Sequence, residues 1–152
     1  MLESTVFYEN GKNIEGLNIQ KGGTYVCIEG PRFSTIAESR MFRLWGGDII
    51  GMTVYPEAVL AAEKEICYCT IATITDLDVW AGECENCGIV EIQETCANCG
   101  RPVKKLSVDV EEILETMEEN AENLKKLLEM TIPKIDAQRD CPCHHALKGA
   151  IL

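Results

Sequence analysis

The fold class follows from residues 23–80, which read GTYVCIEGPRFSTIAESRMFRLWGGDIIGMTVYPEAVLAAEKEICYCTIATITDLDVW. Three apolar runs rich in β-branched side chains occupy residues 24–28, 48–52 and 66–75 of this stretch. Continuous apolar runs are typical of strands that are buried on both faces of a sheet. The sequence therefore predicts three strands in a parallel sheet.

Helical patterns separate these strands. Thr35 and Glu38 have the spacing of a capping box, and the glycine pair at 46–47 ends the helix that follows. One face of this helix carries four apolar side chains, Ala37, Met41, Leu44 and Trp45. Pro56 suits the first position of a second helix over residues 57–65. The βαβαβ order predicts an α/β fold with right-handed crossovers.

The composition changes after Trp80, beyond which no aromatic residue occurs. Asp109, with Glu112 at cap spacing, begins a long amphipathic helix that Pro133 ends. Its predicted apolar stripe consists of Val110, Ile113, Leu114, Met117, Ala121, Leu124 and Leu128. We predict three segments, which are the βαβαβ half in residues 1–80, a cysteine-rich insertion in residues 81–104, and the long helix with its tail in residues 105–152.

The formal net charge of −11 argues against two classes of partner. Nucleic acids and anionic membranes both need a positive field on the protein that binds them. The N-terminal sequence lacks a basic stretch followed by an apolar one, and no run approaches the roughly 20 apolar residues of a membrane span. We expect a cytoplasmic protein, in which nine cysteines favour metal or redox chemistry over structural disulfides.

Polar residues follow each predicted strand, in residues 29–34, 52–53 and 75–78. In an open parallel sheet, ligands bind beyond the carboxyl ends of the strands. These segments supply an aromatic ring, a thioether, hydroxyls and two carboxylates, which suit a flat heterocycle and an oxyanion. The residues alone fit equally well with turns and helix caps that bind no ligand.

Four cysteines in the insertion form a metal-binding pattern. They are spaced as two CxxC pairs, each followed by glycine and separated by eight residues, at Cys84, Cys87, Cys96 and Cys99. Four thiolates suit tetrahedral Zn²⁺, which folds loops that are too short for a core of their own. The sequence predicts a structural zinc knuckle, with two disulfides or an iron site as the alternatives.

Residues 23–80 resemble the core signature of the methylthioadenosine phosphorylases, a group within the purine nucleoside phosphorylase family. GPRFST followed by AES, and GMT followed by PE, carry the resemblance, which TDLD and the SVD at 107–109 extend. The resemblance implies part of the nucleoside-phosphorylase fold, with phosphate as co-substrate. It also implies phosphorolysis of 5′-methylthioadenosine to adenine and 5-methylthioribose 1-phosphate by a homotrimer or homohexamer.

The resemblance further implies which residues bind the substrate. Phe33 would pack against the purine with Ser34 beside it, and Met52 would lie under the ribose. Thr53 would help to hold phosphate, and Thr75 would belong to the same substrate-binding set.

Asp76 and Asp78 would be the catalytic residues. By the resemblance, Asp76 would protonate the purine at N7 as the glycosidic bond breaks, and Asp78 would contact the side of the exocyclic amine. A general acid at N7 relieves the negative charge that an oxocarbenium-like transition state leaves on the purine. Carboxylates here favour a 6-amino purine, and the 6-oxopurine nucleosides methylthioinosine and inosine are the alternative substrates. Ile113 aligns with an apolar position near the 5′-methylthio group and fits equally well as a core residue.

Members of this group are much longer than this chain. Their N-terminal half carries a glycine-rich phosphate loop and an Arg-His phosphate clamp, whereas Arg32 is the only basic residue that we expect near the pocket. The resemblance therefore implies that phosphorolysis needs an N-terminal half, and that the chain is a truncated product, one piece of a split gene or a subunit that a separate N-terminal half completes. The alternative is a non-catalytic nucleoside-binding or assembly subunit that uses the knuckle as an interface.

The tail ends in a second cysteine motif, CPCHH, at residues 141–145. It resembles the C-terminal CxC of archaeal thermophilic phosphorylases, which implies a disulfide between Cys141 and Cys143. Metal ligation by this motif is the alternative. Free cysteine buries readily, and the three cysteines within strand patterns are predicted core residues: Cys27, Cys67 and Cys69.

Overall fold

The computed structural model describes residues 2–91, 93–106, 109–136, 138 and 141–150, so Ser107 and Val108 of the SVD motif lie outside the described residues. The elements in chain order are α1 Leu2–Gly11, β1 Tyr25–Cys27, α2 Ile36–Leu44, β2 Ile49–Gly51, α3 Glu57–Glu63, β3 Gly82–Cys84, β4 Val90–Glu91, β5 Val103–Lys105 and α4 Val110–Thr131. Two 3₁₀ helices follow, η1 Ile132–Lys134 and η2 Pro142–His145. None of the helices described is both long and apolar enough to cross a membrane.

The first two predicted strands form a parallel pair. β1 lies beside β2 with Tyr25 opposite Ile49 and Cys27 opposite Gly51, and α2 makes the connection between them. Gly47 allows the end of α2 to approach β1, because a Cβ there would lie 2.7 Å from Val26 Cγ2 and 3.0 Å from the carbonyl oxygen of Phe42. The predicted α/β class and its parallel βαβ unit are confirmed.

The prediction of a third strand is wrong for this chain. Residues 66–75 belong to no described strand. A strand requires a neighbouring backbone about 4.8 Å away to complete its ladder of hydrogen bonds. Residues 70–75 and β2 instead line a common cavity of about 780 Å³, so this part of the segment borders open space rather than a paired strand.

The N-terminus of α2 has the predicted capping box. Thr35 Oγ1 accepts a hydrogen bond from the Glu38 backbone amide at 3.2 Å, and the Glu38 carboxylate accepts one from the Thr35 amide at 2.8 Å. The same carboxylate binds both terminal nitrogens of Arg32, at 2.6 and 2.9 Å. The Arg32 guanidinium, aided by the Thr35 amide and hydroxyl, lowers the pKa of Glu38 from its ordinary value of 4.5 to about 2.

The apolar face predicted for α2 points away from the chain's own core. The Leu44 side chain is 86% exposed and that of Trp45 is 71% exposed. The buried position of the helix is Ser39, which is only 1% exposed. Ser39, Phe42 and Arg43 of α2 face a cavity that the two strands also line, and the described residues provide no layer against the apolar side of the helix.

The long helix α4 ends at Thr131, just before Pro133, as predicted. Its N-cap Asp109 accepts from the amide of Glu111 at 2.9 Å rather than from that of Glu112. The predicted apolar stripe is only partly buried, because α1 packs against the C-terminal half of α4. Leu127 and Thr131 are buried there, whereas three members of the predicted stripe in the first half are exposed: Val110, Leu114 and Met117.

The cysteine-rich segment forms a small sheet of its own. β3 is its central strand and pairs antiparallel with β4 on one side and β5 on the other. An isolated bridge between Thr95 and Pro102 closes the second turn. This sheet begins directly after Ala81, whose amide donates to the carbonyl oxygen of Asp78 at 2.8 Å.

We expect Glu38→Gln to lower the melting temperature at pH 7, because it removes the charge that Arg32 and the capping box stabilise. The low folded-state pKa of Glu38 contributes stability above pH 4.5, and that contribution is lost as the pH falls toward 2. The difference in melting temperature between Glu38→Gln and the parent chain should therefore shrink over this range, as followed by circular dichroism. In an Arg32→Gln background, Glu38→Gln should cost less. An equal cost in both backgrounds would show that the ion pair does not stabilise α2.

Candidate functional site

The site is a cavity of about 780 Å³ at the carboxyl ends of β1 and β2. It brings together seven of the predicted site residues from three separate segments, namely Phe33, Ser34, Met52, Thr53, Thr75, Asp76 and Asp78. The eighth, Ile113, lines a neighbouring cavity of about 330 Å³. Thr75 and Asp76 border both cavities, so the two spaces adjoin one carboxylate.

Asp78 is positioned by a buried hydroxyl. The Ser39 hydroxyl donates to Asp78 Oδ1 at 2.9 Å, and the Val79 amide donates to the same oxygen at 2.8 Å. Ser39 also shares a hydrogen bond of 2.9 Å with the hydroxyl of Ser34. This chain of contacts joins α2 to the segment that carries both carboxylates.

Sequence reasoning did not identify Ser39 as a site residue. The signal was its place in α2, where a serine lies on the side opposite the exposed apolar side chains. A buried hydroxyl normally has a hydrogen-bond partner, so its burial in a helix next to the predicted pocket points to a polar contact.

Asp76 has a different environment from Asp78. Its Oδ1 accepts a hydrogen bond of 2.6 Å from the hydroxyl of the preceding Thr75. Because Asp76 borders both cavities, its carboxyl group can exchange a proton with a ligand atom held between them.

Among the described residues, the cavity is lined by four aromatic residues and one basic residue, which are Tyr25, Phe33, Phe42, Trp80 and Arg43. Phe33 lines it with a ring that is 77% exposed, as expected of a surface on which a flat ligand could stack. Arg43 also lines the cavity, and its guanidinium lies 4.3 Å from the centre of the Trp80 ring. The expectation that Arg32 is the only basic residue near the pocket is therefore wrong. Arg32 is held by Glu38 instead.

The four knuckle cysteines form the second candidate site. The sulfur atoms of Cys84 and Cys99 lie 3.4 Å apart, those of Cys87 and Cys96 3.5 Å, and those of Cys87 and Cys99 3.6 Å. Zinc–sulfur bonds of about 2.3 Å place the thiolates of a tetrahedral site about 3.8 Å apart. The donor set and its spacing therefore fit a four-coordinate metal ion.

The two halves of the knuckle have the same backbone geometry. Gly88 and Gly100 follow the CxxC pairs at φ angles of 65° and 68°, which favour glycine. Their amides donate to the carbonyl oxygens of Cys84 and Cys96 at 2.8 and 2.9 Å. Each turn thus folds a CxxC pair back on itself and directs both sulfurs inward.

Two of the knuckle thiols differ in acidity. The Asn86 backbone amide lowers the pKa of the Cys84 thiol to about 7. The neighbouring sulfur of Cys84, followed by that of Cys96, raises the pKa of Cys87 to about 12. Four thiolates this close repel one another, and a divalent cation removes that repulsion.

The remaining cysteines depart from the prediction in part. Cys27 is exposed, so its assignment to the core is wrong, and its sulfur accepts from the Tyr55 amide at 3.4 Å. Cys67 and Cys69 are half-buried. The disulfide between Cys141 and Cys143 stays a prediction.

Comparison with known proteins identifies the family to which the chain belongs. The sequence profile of the Phosphorylase superfamily matches residues 9–133. The chain belongs to the phosphorylase superfamily. Its superfamily relatives include the S-methyl-5′-thioadenosine phosphorylase of Pyrococcus horikoshii, 45% identical over 143 residues that make up 94% of this chain and 46% of the relative. That of Nitrosopumilus maritimus is 46% identical over 88% of this chain and 42% of the relative.

Solved structures of the superfamily agree with this assignment. A methylthioadenosine phosphorylase sourced from an antarctic soil metagenomic library has a TM-score of 0.70 and 31% identity, over 95% of this chain and 44% of that one. The Schistosoma mansoni methylthioadenosine phosphorylase in complex with adenine has a TM-score of 0.65 and 25% identity, over 99% of this chain and 50% of that one. The chain therefore spans half the length of these phosphorylases or less.

We expect Ser39→Ala to destabilise the chain by about 1–3 kcal/mol, because it removes the buried hydroxyl that donates to Asp78 Oδ1 and leaves that oxygen with the more exposed Val79 amide as its donor. Ser34→Ala is the matched control. It removes a half-buried hydroxyl whose contact is to Ser39 rather than to Asp78, and should cost less. Denaturant unfolding of both variants measures the difference. An equal loss of unfolding free energy in both variants would show that the hydrogen bond from Ser39 to Asp78 adds no stability of its own.

Proposed function

We propose that this chain forms the purine-binding part of a methylthioadenosine phosphorylase. The reaction is phosphorolysis of 5′-methylthioadenosine to adenine and 5-methylthioribose 1-phosphate. The observation that carries the proposal is the convergence of Phe33, Asp76 and Asp78 on one cavity, in a chain that is 45% identical to a curated enzyme of this name.

The two carboxyl groups divide the recognition of adenine between them. Breaking the glycosidic bond moves electrons onto the purine, and protonation at N7 stabilises the departing base. Asp76, which borders both cavities, delivers that proton. Asp78, fixed by Ser39, accepts a hydrogen bond from the 6-amino group. A carboxylate at Asp78 can accept a hydrogen bond from an amino group but not from a 6-oxo group, which favours adenine nucleosides over inosine.

The other site residues surround the sugar and the base. Phe33 packs on the purine, and Ser34 extends the hydroxyl chain from Ser39 toward it. Met52 lies under the ribose, and Thr75 orients Asp76 through its hydroxyl. Ile113, in the adjoining cavity, is next to the 5′-methylthio group, for which an apolar wall is favourable.

The phosphate subsite is incomplete in this chain. Thr53 supplies one hydroxyl, and the cavity's guanidinium, that of Arg43, stacks on Trp80. A phosphate dianion needs more positive charge or more donors than these. We infer that the remaining half of the fold supplies them, either on the same polypeptide or on a separate one.

A homo-oligomer, trimer or hexamer, is part of the same proposal. The exposed side chains of Leu44 and Trp45 give α2 an apolar face, and faces of this kind on folded proteins mark contacts with other subunits or domains. In an assembly that contains the remaining half of the fold, a neighbouring strand would hydrogen-bond with residues 66–75.

The activity is tested by phosphate-dependent release of adenine from 5′-methylthioadenosine. We expect the chain co-expressed with the N-terminal half of the Pyrococcus horikoshii relative to release adenine, and the chain alone to be inactive. Asp76→Asn should lower kcat/KM by about 10²- to 10⁴-fold, since it removes a general acid. Glu63→Gln, on the exposed side of α3, is the control and should retain full activity.

The other outcomes each identify a different error. Activity of the chain alone would show that its own oligomer completes the phosphate subsite. Adenine binding without any turnover, measured by calorimetry on the co-expressed complex, would favour a nucleoside-binding or assembly subunit. Faster release from inosine than from 5′-methylthioadenosine would contradict the assigned substrate.

We further propose that the knuckle binds one structural Zn²⁺ through Cys84, Cys87, Cys96 and Cys99. The sulfur separations support this proposal, as does the repeated backbone turn. Four protein ligands leave no open coordination position, so the metal stabilises the segment and takes no part in the reaction.

Removal of this zinc should unfold the knuckle. We expect a strong chelator at pH 7 to lower the melting temperature and to expose the knuckle to a glutamate-specific protease, which cuts after Glu85, Glu91 and Glu94, because the short sheet has little other core. Cys96→Ser should show the same proteolysis without chelator, and Cys27→Ser should not. Unchanged proteolysis after the zinc has been removed would contradict a structural role.

A further inference from the structure

A second cluster of sulfur atoms lies at the C-terminal tail. The sulfurs of Cys67 and Cys141 are 2.9 Å apart although 74 residues separate them along the chain. The sulfur of Cys143 belongs to the same group, in which the atoms all lie within 4.8 Å of one another. Cys141 is 5% exposed, so the cluster is shielded from solvent on the side of the tail.

An imidazole nitrogen lies beside these sulfurs. Nε2 of His144 is 4.0 Å from the sulfur of Cys67. The 3₁₀ helix η2 brings the tail residues together, since the His144 amide donates to the carbonyl oxygen of Cys141 at 3.1 Å. Three sulfurs thus lie together, and one imidazole nitrogen lies next to the sulfur of Cys67. Rotation of the His144 side chain toward the other two sulfurs would complete a donor set that is one of those that hold structural zinc.

We propose that Cys67, Cys141, Cys143 and His144 bind a second Zn²⁺, separate from that of the knuckle. The three thiols each release a proton on binding, and the neutral imidazole coordinates through Nε2. Tetrahedral zinc needs sulfurs about 3.8 Å apart. The Cys67–Cys141 separation must therefore open by a little under 1 Å, which side-chain rotation can supply.

A metal ion accounts for the cluster better than a disulfide does. The 2.9 Å between the sulfurs of Cys67 and Cys141 lies midway between the roughly 2.05 Å of a disulfide and the roughly 3.8 Å of a tetrahedral zinc site, so the use of the donors decides between them. A disulfide would use two of the sulfurs and leave the third thiol beside the imidazole. Zinc uses all four donors at once.

The position of the cluster gives the metal a structural role. The tail is also bound by the carboxylate of Glu65, which accepts from the Leu147 amide at 3.2 Å. Glu65 and Cys67, which contact the tail, both lie at the start of the segment that leads to Asp76. A metal ion bound by Cys67 would therefore link the tail to the N-terminal end of this segment. Its four protein ligands would leave no coordination position for a substrate.

The test is the zinc content of the chain, purified anaerobically with a reductant and measured by elemental analysis and native mass spectrometry. We expect two zinc ions per chain, one for each sulfur cluster. The double variant Cys141→Ser, Cys143→Ser and the knuckle variant Cys96→Ser, Cys99→Ser should each retain one. Cys27→Ser, outside both clusters, should retain two.

Cobalt substitution of the parent chain tests the inference without any variant. The site with one nitrogen donor should add a ligand-field absorption distinct from that of the four-sulfur knuckle. One metal ion per chain with a four-sulfur spectrum alone would overturn the proposal. So would a disulfide between any two of Cys67, Cys141 and Cys143 in peptides mapped from the anaerobic protein. Neither readout depends on the proposed enzymatic activity.

Discussion

Residues 66–78 are held in place by side chains from other elements rather than by a strand ladder. The Tyr68 hydroxyl donates to Glu57 of α3 at 3.1 Å, and the Asn120 amide of α4 donates to the Ile74 carbonyl oxygen at 2.9 Å. At the end of the segment, Ser39 of α2 donates to Asp78. Because both site carboxylates lie on this segment, the geometry of the site depends on these anchors.

This arrangement has a consequence for rigidity. A ladder fixes every second backbone group, whereas separate side-chain bonds leave the backbone between them free to move. Asp78 is attached directly to an anchor, whereas Asp76 accepts its hydrogen bond from the neighbouring Thr75 of the same segment. A neighbouring strand from the rest of the fold would hold Asp76 more tightly, which is the physical reason to expect better catalysis from a completed fold.

The parts of the fold that the sequence predicted are those that local chemistry determines. Thr35 and Glu38 form the capping box because both partners lie within one turn, and Pro133 limits α4 because it lacks an amide donor. Residues 66–75 have the composition of a strand, but pairing requires a partner that composition cannot locate. The apolar residues of α2 share one face as predicted, but this face is exposed, since an apolar stripe shows where burial is favourable and not which layer provides it.

The same distinction applies to the two candidate sites. The spacing of Cys84, Cys87, Cys96 and Cys99 identified a knuckle because all four lie within one short segment. Cys67 has no such local partner, and only the return of the tail brings it to Cys141. Ser39 was missed because its role comes from a contact across 39 residues with Asp78.

The buried apolar residues of the described chain indicate that cysteines contribute much of its stability. They are Ala81, Cys84, Cys96, Leu127 and Cys141, so cysteines of the two clusters outnumber the aliphatic residues among them. Ala81 donates to the Asp78 carbonyl oxygen at one end of the anchored segment, and Cys67 meets the tail at the other. Metal ions at both clusters would thus restrain the two ends of the segment that carries Asp76 and Asp78. In a chain with little hydrophobic core, metal–thiolate bonds would supply the stability that packing supplies in larger domains.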